Sequence, residues 1–294
     1  MLGKKGFDKL LMKKYHDKEQ AVFVKRVNII VSELERSVSF YTKVIGLTLI
    51  DQENDVAYLG VDDKNVLLSL KEIKGAKRAF NNIGLYHFAL LVENRSVFAH
   101  LLKHLVDLGY PLTGLSDHGI SEAIYLQDPD NNGVEIAADR FDSEGNVYRL
   151  ETFGPKEIDV YDLMKHLPRE PFTKLPATTI LGHLHLHVND MKRAKQFFVN
   201  GLGFDVRFDY RGVAVFTSSQ SYHHHLAFNI WNGTEARRRG LMQAGLESYV
   251  LSAPKDKFNA IKQRLNEMGY PTEVLENSLE VFDVNGDKVI IEAA

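Results

Sequence analysis

The chain repeats itself, and the repeat limits the folds open to it. Residues 31–47 read VSELERSVSFYTKVIGL and residues 188–204 read VNDMKRAKQFFVNGLGF, aligned without a gap at an offset of 157. Each copy follows a short apolar strand ending at Val31 or Val188. Each opens at an acidic cap candidate, Glu33 or Asp190, and places an aromatic pair on its apolar stripe, Phe40–Tyr41 or Phe197–Phe198. Each stops at Gly46 or Gly203, where glycine accepts left-handed backbone angles. A second unit recurs at an offset of 160: LLKHLVDLGYPLT at 101–113 and IKQRLNEMGYPTE at 261–273, both amphipathic helices ended by Gly-Tyr-Pro. The strands ahead of these helices read as YHFALLV at 86–92 and HHLAFNI at 224–230. Turns rich in Asp, Asn and Gly follow at 128–133 and around 285–287, each within a strand-turn-strand pattern.

The residues therefore spell four βαβββ modules, beginning near 23, 84, 180 and 222. The expected class is α+β. One module exposes an apolar sheet face, so modules must pair, curving mixed sheets around cavities. The expected division is a helical extension at 1–22, a two-module domain at 23–138, a linker and arm at 139–178, and a metal-bearing two-module domain at 179–294. FDKLLMKKYHD at 7–17 reads as a small amphipathic helix. Arg140, Arg149 and Glu151 fall in an extended arm, and DVYDLMKHL at 159–167 in a short helix.

Composition excludes several chemistries. The 294 residues carry 36 Lys+Arg against 39 Asp+Glu, a net charge of -3, so no general basic field draws nucleic acid or an anionic membrane. With no cysteine, disulfides, thiolate nucleophiles, Cys-ligated zinc and iron–sulfur clusters are ruled out. No apolar run reaches membrane-spanning length, and Met1 to Glu19 lack the apolar centre of a signal peptide. Cytoplasmic residence is the expectation.

A metal site in a chain without cysteine would be of the nitrogen–oxygen type. Alternation puts His183, His185 and His187 on one strand face, with Leu184, Leu186 and Val188 on the other. His223, His224 and His225 form a second cluster, and Glu292 sits in the last strand. A single histidine is more often a hydrogen-bonded or surface residue than a ligand. Six at two strand starts are less easily dismissed, and two strand-borne histidines with one carboxylate make the common set for iron(II), manganese(II) or zinc(II) with open positions.

These residues resemble a known superfamily. GHLHLHVNDMKRAKQFFVNGLGF at 182–204 is similar to the module-opening pattern of the vicinal oxygen chelate proteins, which include glyoxalases, bleomycin and fosfomycin resistance proteins and type I extradiol dioxygenases. The resemblance spans nearly residues 23–294. SYHHHLAFNIWNG at 221–233 and SDHGISEAIYLQDPDNNGVEIAADR at 116–140 look like bacterial catechol 2,3-dioxygenases. The resemblance implies iron(II)-dependent extradiol cleavage of a catechol-type substrate by dioxygen, giving a ring-opened semialdehyde. It implies metal ligands at His183, His225 and Glu292, with manganese or zinc as alternative ions. Glu292 follows from the 157 offset to Glu135, whereas counting from the Asp283 turn reaches Ile290. His223 and His185 are candidate bases and Tyr249 a candidate hydrogen-bond donor, while alternation points His224 away from His225. In the N-terminal half, Arg26 matches His183 but stays protonated. There His87, His118, Tyr125 and Glu135 form a secondary ligand group, or remain as the relic of a lost metal site. Residues 229–245 read as a rim, with Trp231 against an aromatic ring and Arg237 to Arg239 toward an anionic substituent, or as a solvated loop. The partners implied are a small aromatic diol and dioxygen, with homo-oligomerisation left open. A glyoxalase-like isomerase or lyase and a non-enzymatic aromatic-ligand binder are the alternatives.

Overall fold

A computed structural model describes residues 14–148 and 154–294. Most of the expected opening helix, with Arg149 and Glu151, lies outside the described residues. Module one comprises β1 (Phe23–Val31), α1 (Leu34–Ser39, continued by a wider π-helical turn over Phe40–Val44), β2 (Thr48–Glu53), β3 (Val56–Gly60) and β4 (Val66–Glu72). Module two comprises β5 (Asn82–Val92), α2 (Arg95–Asp107), β6 (Leu112–Asp117), β7 (Ser121–Gln127) and β8 (Gly133–Asp139). The arm carries α3 (Val160–Met164). Module three comprises β9 (Ile180–His187), α4 (Met191–Lys195, with a π turn over Gln196–Gly201), β10 (Asp205–Tyr210), β11 (Ala214–Ser218) and β12 (Leu226–Asn229). After the short β13 (Arg237–Arg238), module four comprises β14 (Gly245–Ala253), α5 (Lys255–Glu267), β15 (Thr272–Val274), β16 (Ser278–Phe282) and β17 (Lys288–Ala293).

Four modules and two mixed sheets are present, but they pair differently from the expectation. One sheet runs β15-β16-β17-β14-β1-β4-β3-β2, joining module four to module one. The other runs β10-β11-β12-β9-β5-β8-β7-β6, joining module three to module two. The two-module domains at 23–138 and 179–294 are therefore corrected, because each sheet takes one module from each half of the chain. The antiparallel seams β1–β14 and β5–β9 make the joins. HHLAFNI also changes place. It belongs to β12, which closes module three in parallel with β9, and module four begins at β14.

The sheet faces follow from alternation. On β9, Leu184 and Leu186 are fully buried in the main apolar core, and the histidines face the other way. Helix α2 lays Phe98, Leu101, Leu102 and Leu105 into that core, each contributing about 1.5–3 kcal/mol. Asn94 caps it by accepting from the amides of Ser96 and Val97. The arm is pinned over module two. Arg95 donates to Glu122 and Asp162, Arg140 donates to Asp117, and the backbones of Asp117 and Lys156 exchange two hydrogen bonds of 2.8 Å. Among the described residues no helix is long and apolar enough to cross a membrane.

Candidate metal centre

Three strands meet at one point. His87 comes from β5, Glu135 from β8 and His183 from β9, and Ala89 of β5 pairs with Glu135 on one side and His183 on the other. Paired residues share a face, as do positions two apart along a strand, so all three side chains leave the sheet together. Gly133 permits the β5–β8 approach. A Cβ there would lie 1.9 Å from the Tyr86 carbonyl oxygen and 3.1 Å from the His87 Cβ.

The three side chains are buried, each 3–5% exposed. Glu135 Oε2 lies 2.9 Å from His87 Nε2 and 3.2 Å from His183 Nε2, and the two nitrogens are 3.3 Å apart. Three donors on one face of an octahedron, with bonds of about 2.1 Å, stand about 3 Å from one another. The observed spacing is that of a facial triad. Burial opposes the charge on Glu135, yet His183 and His87 beside it hold its carboxyl well below the usual carboxylate range. Burial pulls the His87 imidazole below its ordinary value, against the opposing pull of Glu135. An ionised carboxylate with a neutral imidazole is the form in which such groups bind a divalent cation. The donor set fits iron(II).

A cavity of about 550 Å³ opens on the triad. Tyr86, Phe216, Trp231 and Ile120 supply apolar wall, His118, Tyr125, His185 and His224 polar wall, and Gly154 and Pro155 of the arm complete it. Tyr125 and His118 are 2.9 Å apart at Oη and Nε2. Burial, then the charge of Glu135, pushes the Tyr125 phenol well above its ordinary value, so it remains a hydrogen-bond donor. The His224 ring packs against that of His183, tilted by 46° with centroids 4.1 Å apart, and burial, reinforced by neighbouring histidines, keeps His224 and His185 neutral. Asn229 Nδ2 donates to His185 Nε2 over 2.8 Å.

Of the expected ligands only His183 belongs to the triad. His225 is fully buried with both ring nitrogens engaged. Its Nε2 donates to the Tyr15 carbonyl over 2.8 Å, and its Nδ1 accepts from the Ser219 amide. Glu292 is tied to Lys25 over 2.5 Å in the other sheet. Asp128 and Asp283 play the same turn role, each accepting two amides at Oδ1, so the counterpart of Glu135 is Ile290 and not Glu292. Tyr249 is also in the other sheet, buried and donating to Asp283. His223 lies behind the wall, 2.9 Å from Asp139. Arg237 and Arg238 form β13 against β5, while Arg239 lines an adjoining cavity of about 410 Å³. His224, set aside on alternation, faces the catalytic cavity because it precedes β12 and escapes the strand's alternation.

The model of the Glyoxalase/Bleomycin resistance protein/Dioxygenase superfamily matches residues 24–136 and 180–272. The chain belongs to this superfamily. It is 39% identical over 265 residues to "Catechol-2,3-dioxygenase" of Bacillus subtilis (strain 168), covering 86% of this chain and 90% of that protein. It is 25% identical over 135 residues to "Biphenyl-2,3-diol 1,2-dioxygenase 3" of Rhodococcus globerulus, covering 42% of this chain and 71% of that one. Among solved structures, a putative dioxygenase from Bacillus subtilis superposes with a TM-score of 0.63 at 13% identity, covering 94% of this chain and 86% of that one. Glyoxalase I of Zea mays superposes at 0.58 and 16% identity, covering 92% of each chain. These two likenesses establish the superfamily's fold.

Proposed function

We infer that this chain is an extradiol dioxygenase that opens the ring of a catechol-type substrate with dioxygen. The facial His87–Glu135–His183 triad carries the reading, supported by the 39% identity to a catechol-2,3-dioxygenase. When bound there, iron(II) supplies open positions for the diol and dioxygen and a path for electron density between them. The two imidazoles and the carboxylate fix its place. Phe216, Trp231 and Tyr86 hold the aromatic ring, and Gly154 and Pro155 restrict water. Tyr125 donates a hydrogen bond toward a substrate oxygen. Neutral His224 accepts a catechol proton at Nε2, since Nδ1 is taken by His223. A glyoxalase-like reaction asks for more carboxylate, whereas Glu135 is the one acid in the cluster among the described residues. The reading assigns the protein to the cytoplasm.

The test is anaerobic reconstitution with iron, manganese, zinc and nickel, then oxygen uptake with a panel of catechols. The iron form takes up one dioxygen per catechol and yields the yellow ring-opened product. If every loaded form leaves both oxygen and catechol unconsumed, the reading fails.

A further inference from the structure

Behind His224 runs a hydrogen-bonded row that decides which of its nitrogens carries hydrogen. Asp139 is buried, with its side chain 1% exposed. Tyr222 donates its phenol hydrogen to Asp139 Oδ2 over 2.9 Å, and His223 Nε2 lies 2.9 Å from Oδ1. A carboxylate only accepts, so this second contact requires hydrogen on His223 Nε2. In a neutral imidazole the other nitrogen is then bare. His223 Nδ1 stands 2.8 Å from His224 Nδ1, so His224 must supply the hydrogen at its own Nδ1. Its lone pair is left at Nε2, on a ring that lines the catalytic cavity.

We propose that Asp139 and His223 are positioning residues that preset His224 as the Nδ1–H tautomer, with a bare Nε2 aimed at the bound diol. The source of the proton rests on the ring-cleavage reading; the tautomer does not. The step balances within the site. The catechol O–H bond breaks, its electron pair stays on oxygen, and an N–H bond forms at His224 Nε2. A preset tautomer spares the enzyme the ring flip or hydrogen exchange that a free imidazole would need first. Packing reinforces the geometry: the Tyr222 ring lies 4.0 Å from that of His223 and 5.3 Å from that of Tyr15.

The experiment is ring-nitrogen NMR at pH 8 on the full chain labelled with ¹⁵N-histidine, in the zinc-loaded diamagnetic form. His224→Ala identifies the signals of His224. The expected wild-type spectrum shows hydrogen on His224 Nδ1 and on His223 Nε2. His223→Phe is expected to move the His224 hydrogen to Nε2. In the iron form it should lower kcat by about 100-fold with KM for catechol within about threefold, and His223→Phe/His224→Ala should be no slower than His224→Ala. Hydrogen on His224 Nε2 in the wild type overturns the proposal; an imidazolium at His223, donating from both nitrogens, would produce it. So does a His223→Phe variant whose His224 tautomer is unchanged. If that variant fails to fold, the wild-type spectrum still decides. The expected tautomer in an enzyme that consumes no catechol leaves the Asp139–His223 row standing and brings down ring cleavage, and with it the base role of His224.

Discussion

The two sheets hold the same row of positions with different occupants. In the sheet of modules two and three, Ala89 stands between His183 and Glu135, with His87 two residues ahead on the same strand. In the sheet of modules one and four, Val250 takes that central place, between Arg26 and Ile290, with Ser248 two residues ahead. The backbone frame is shared and the chemistry is not. Arg26 has no lone pair to offer, Ile290 has no donor atom, and Ser248 Oγ accepts from Asn28 Nδ2 over 2.8 Å. The fold sets three side chains on one face of each sheet. Only residue identity makes one of them a metal centre.

That contrast can be attacked by exchanging occupants. His183→Arg writes the second sheet's residue into the first. Metal content should fall from about one ion per chain to near none, and kcat/KM for catechol by roughly 10⁴-fold or more. A fully loaded, active His183→Arg enzyme would break the comparison. Gly133→Ala attacks the frame instead. Its Cβ would sit 1.9 Å from the Tyr86 carbonyl oxygen, so β8 must leave β5. A loss of about 3 kcal/mol or more in unfolding free energy is expected, with weaker metal binding; denaturation and metal titration measure the two.

The turns offer a subtler exchange. Asn132 donates to Asp128 over 2.8 Å in module two, whereas module four places Asp287 at the corresponding position beside Asp283. Burial, then the charge of Asp287, raises Asp283 well above the carboxylate range. Burial pushes Asp287 up to about 6, although Arg239 and Arg238 pull the other way. A carboxyl raised on folding costs stability only when ionised. The cost is absent below about pH 4, grows through about pH 6 and is complete above it. Asp287→Asn should therefore stabilise the protein by about 1–3 kcal/mol at pH 8, with the gain vanishing toward pH 4. A gain independent of pH would remove the carboxyl from the explanation. The smallest effect belongs to Glu292→Gln. Its ion pair with Lys25 is substantially exposed, so stability should change by less than about 1 kcal/mol and bound iron not at all. Metal analysis of that variant separates the observed triad from the one expected around Glu292.

Much of this was legible in the residues. The module helices, the His183 face of β9 and the match of Arg26 to His183 follow from periodicity or offsets, whereas His87, His118, Tyr125 and Glu135 read only as a secondary ligand group or the relic of a lost metal site. The partnership of modules was not, because strand pairing between distant segments leaves no local mark. One signal lay within reach. Carried from 86–92, the offset of 160 lands on LESYVLS at 246–252, inside β14, and not on HHLAFNI. Three consecutive histidines drew attention to His225, whose nitrogens are consumed by Tyr15 and Ser219. The offset of 157 suits the helices of modules one and three but not the closing hairpin, where Asp128 corresponds to Asp283. That shift of two residues moves the counterpart of Glu135 from Glu292 to Ile290.

The seam between β5 and β9 also governs timing. As the polypeptide emerges during synthesis, its first half brings two of the coordinating groups and only the second half brings the last. A nascent or truncated chain lacks the complete cage, so an oxygen-reactive ion would gain its full grip only after the arm between the halves is also made. Oxygen chemistry is thereby deferred until the second half of the chain has begun to pair with the first.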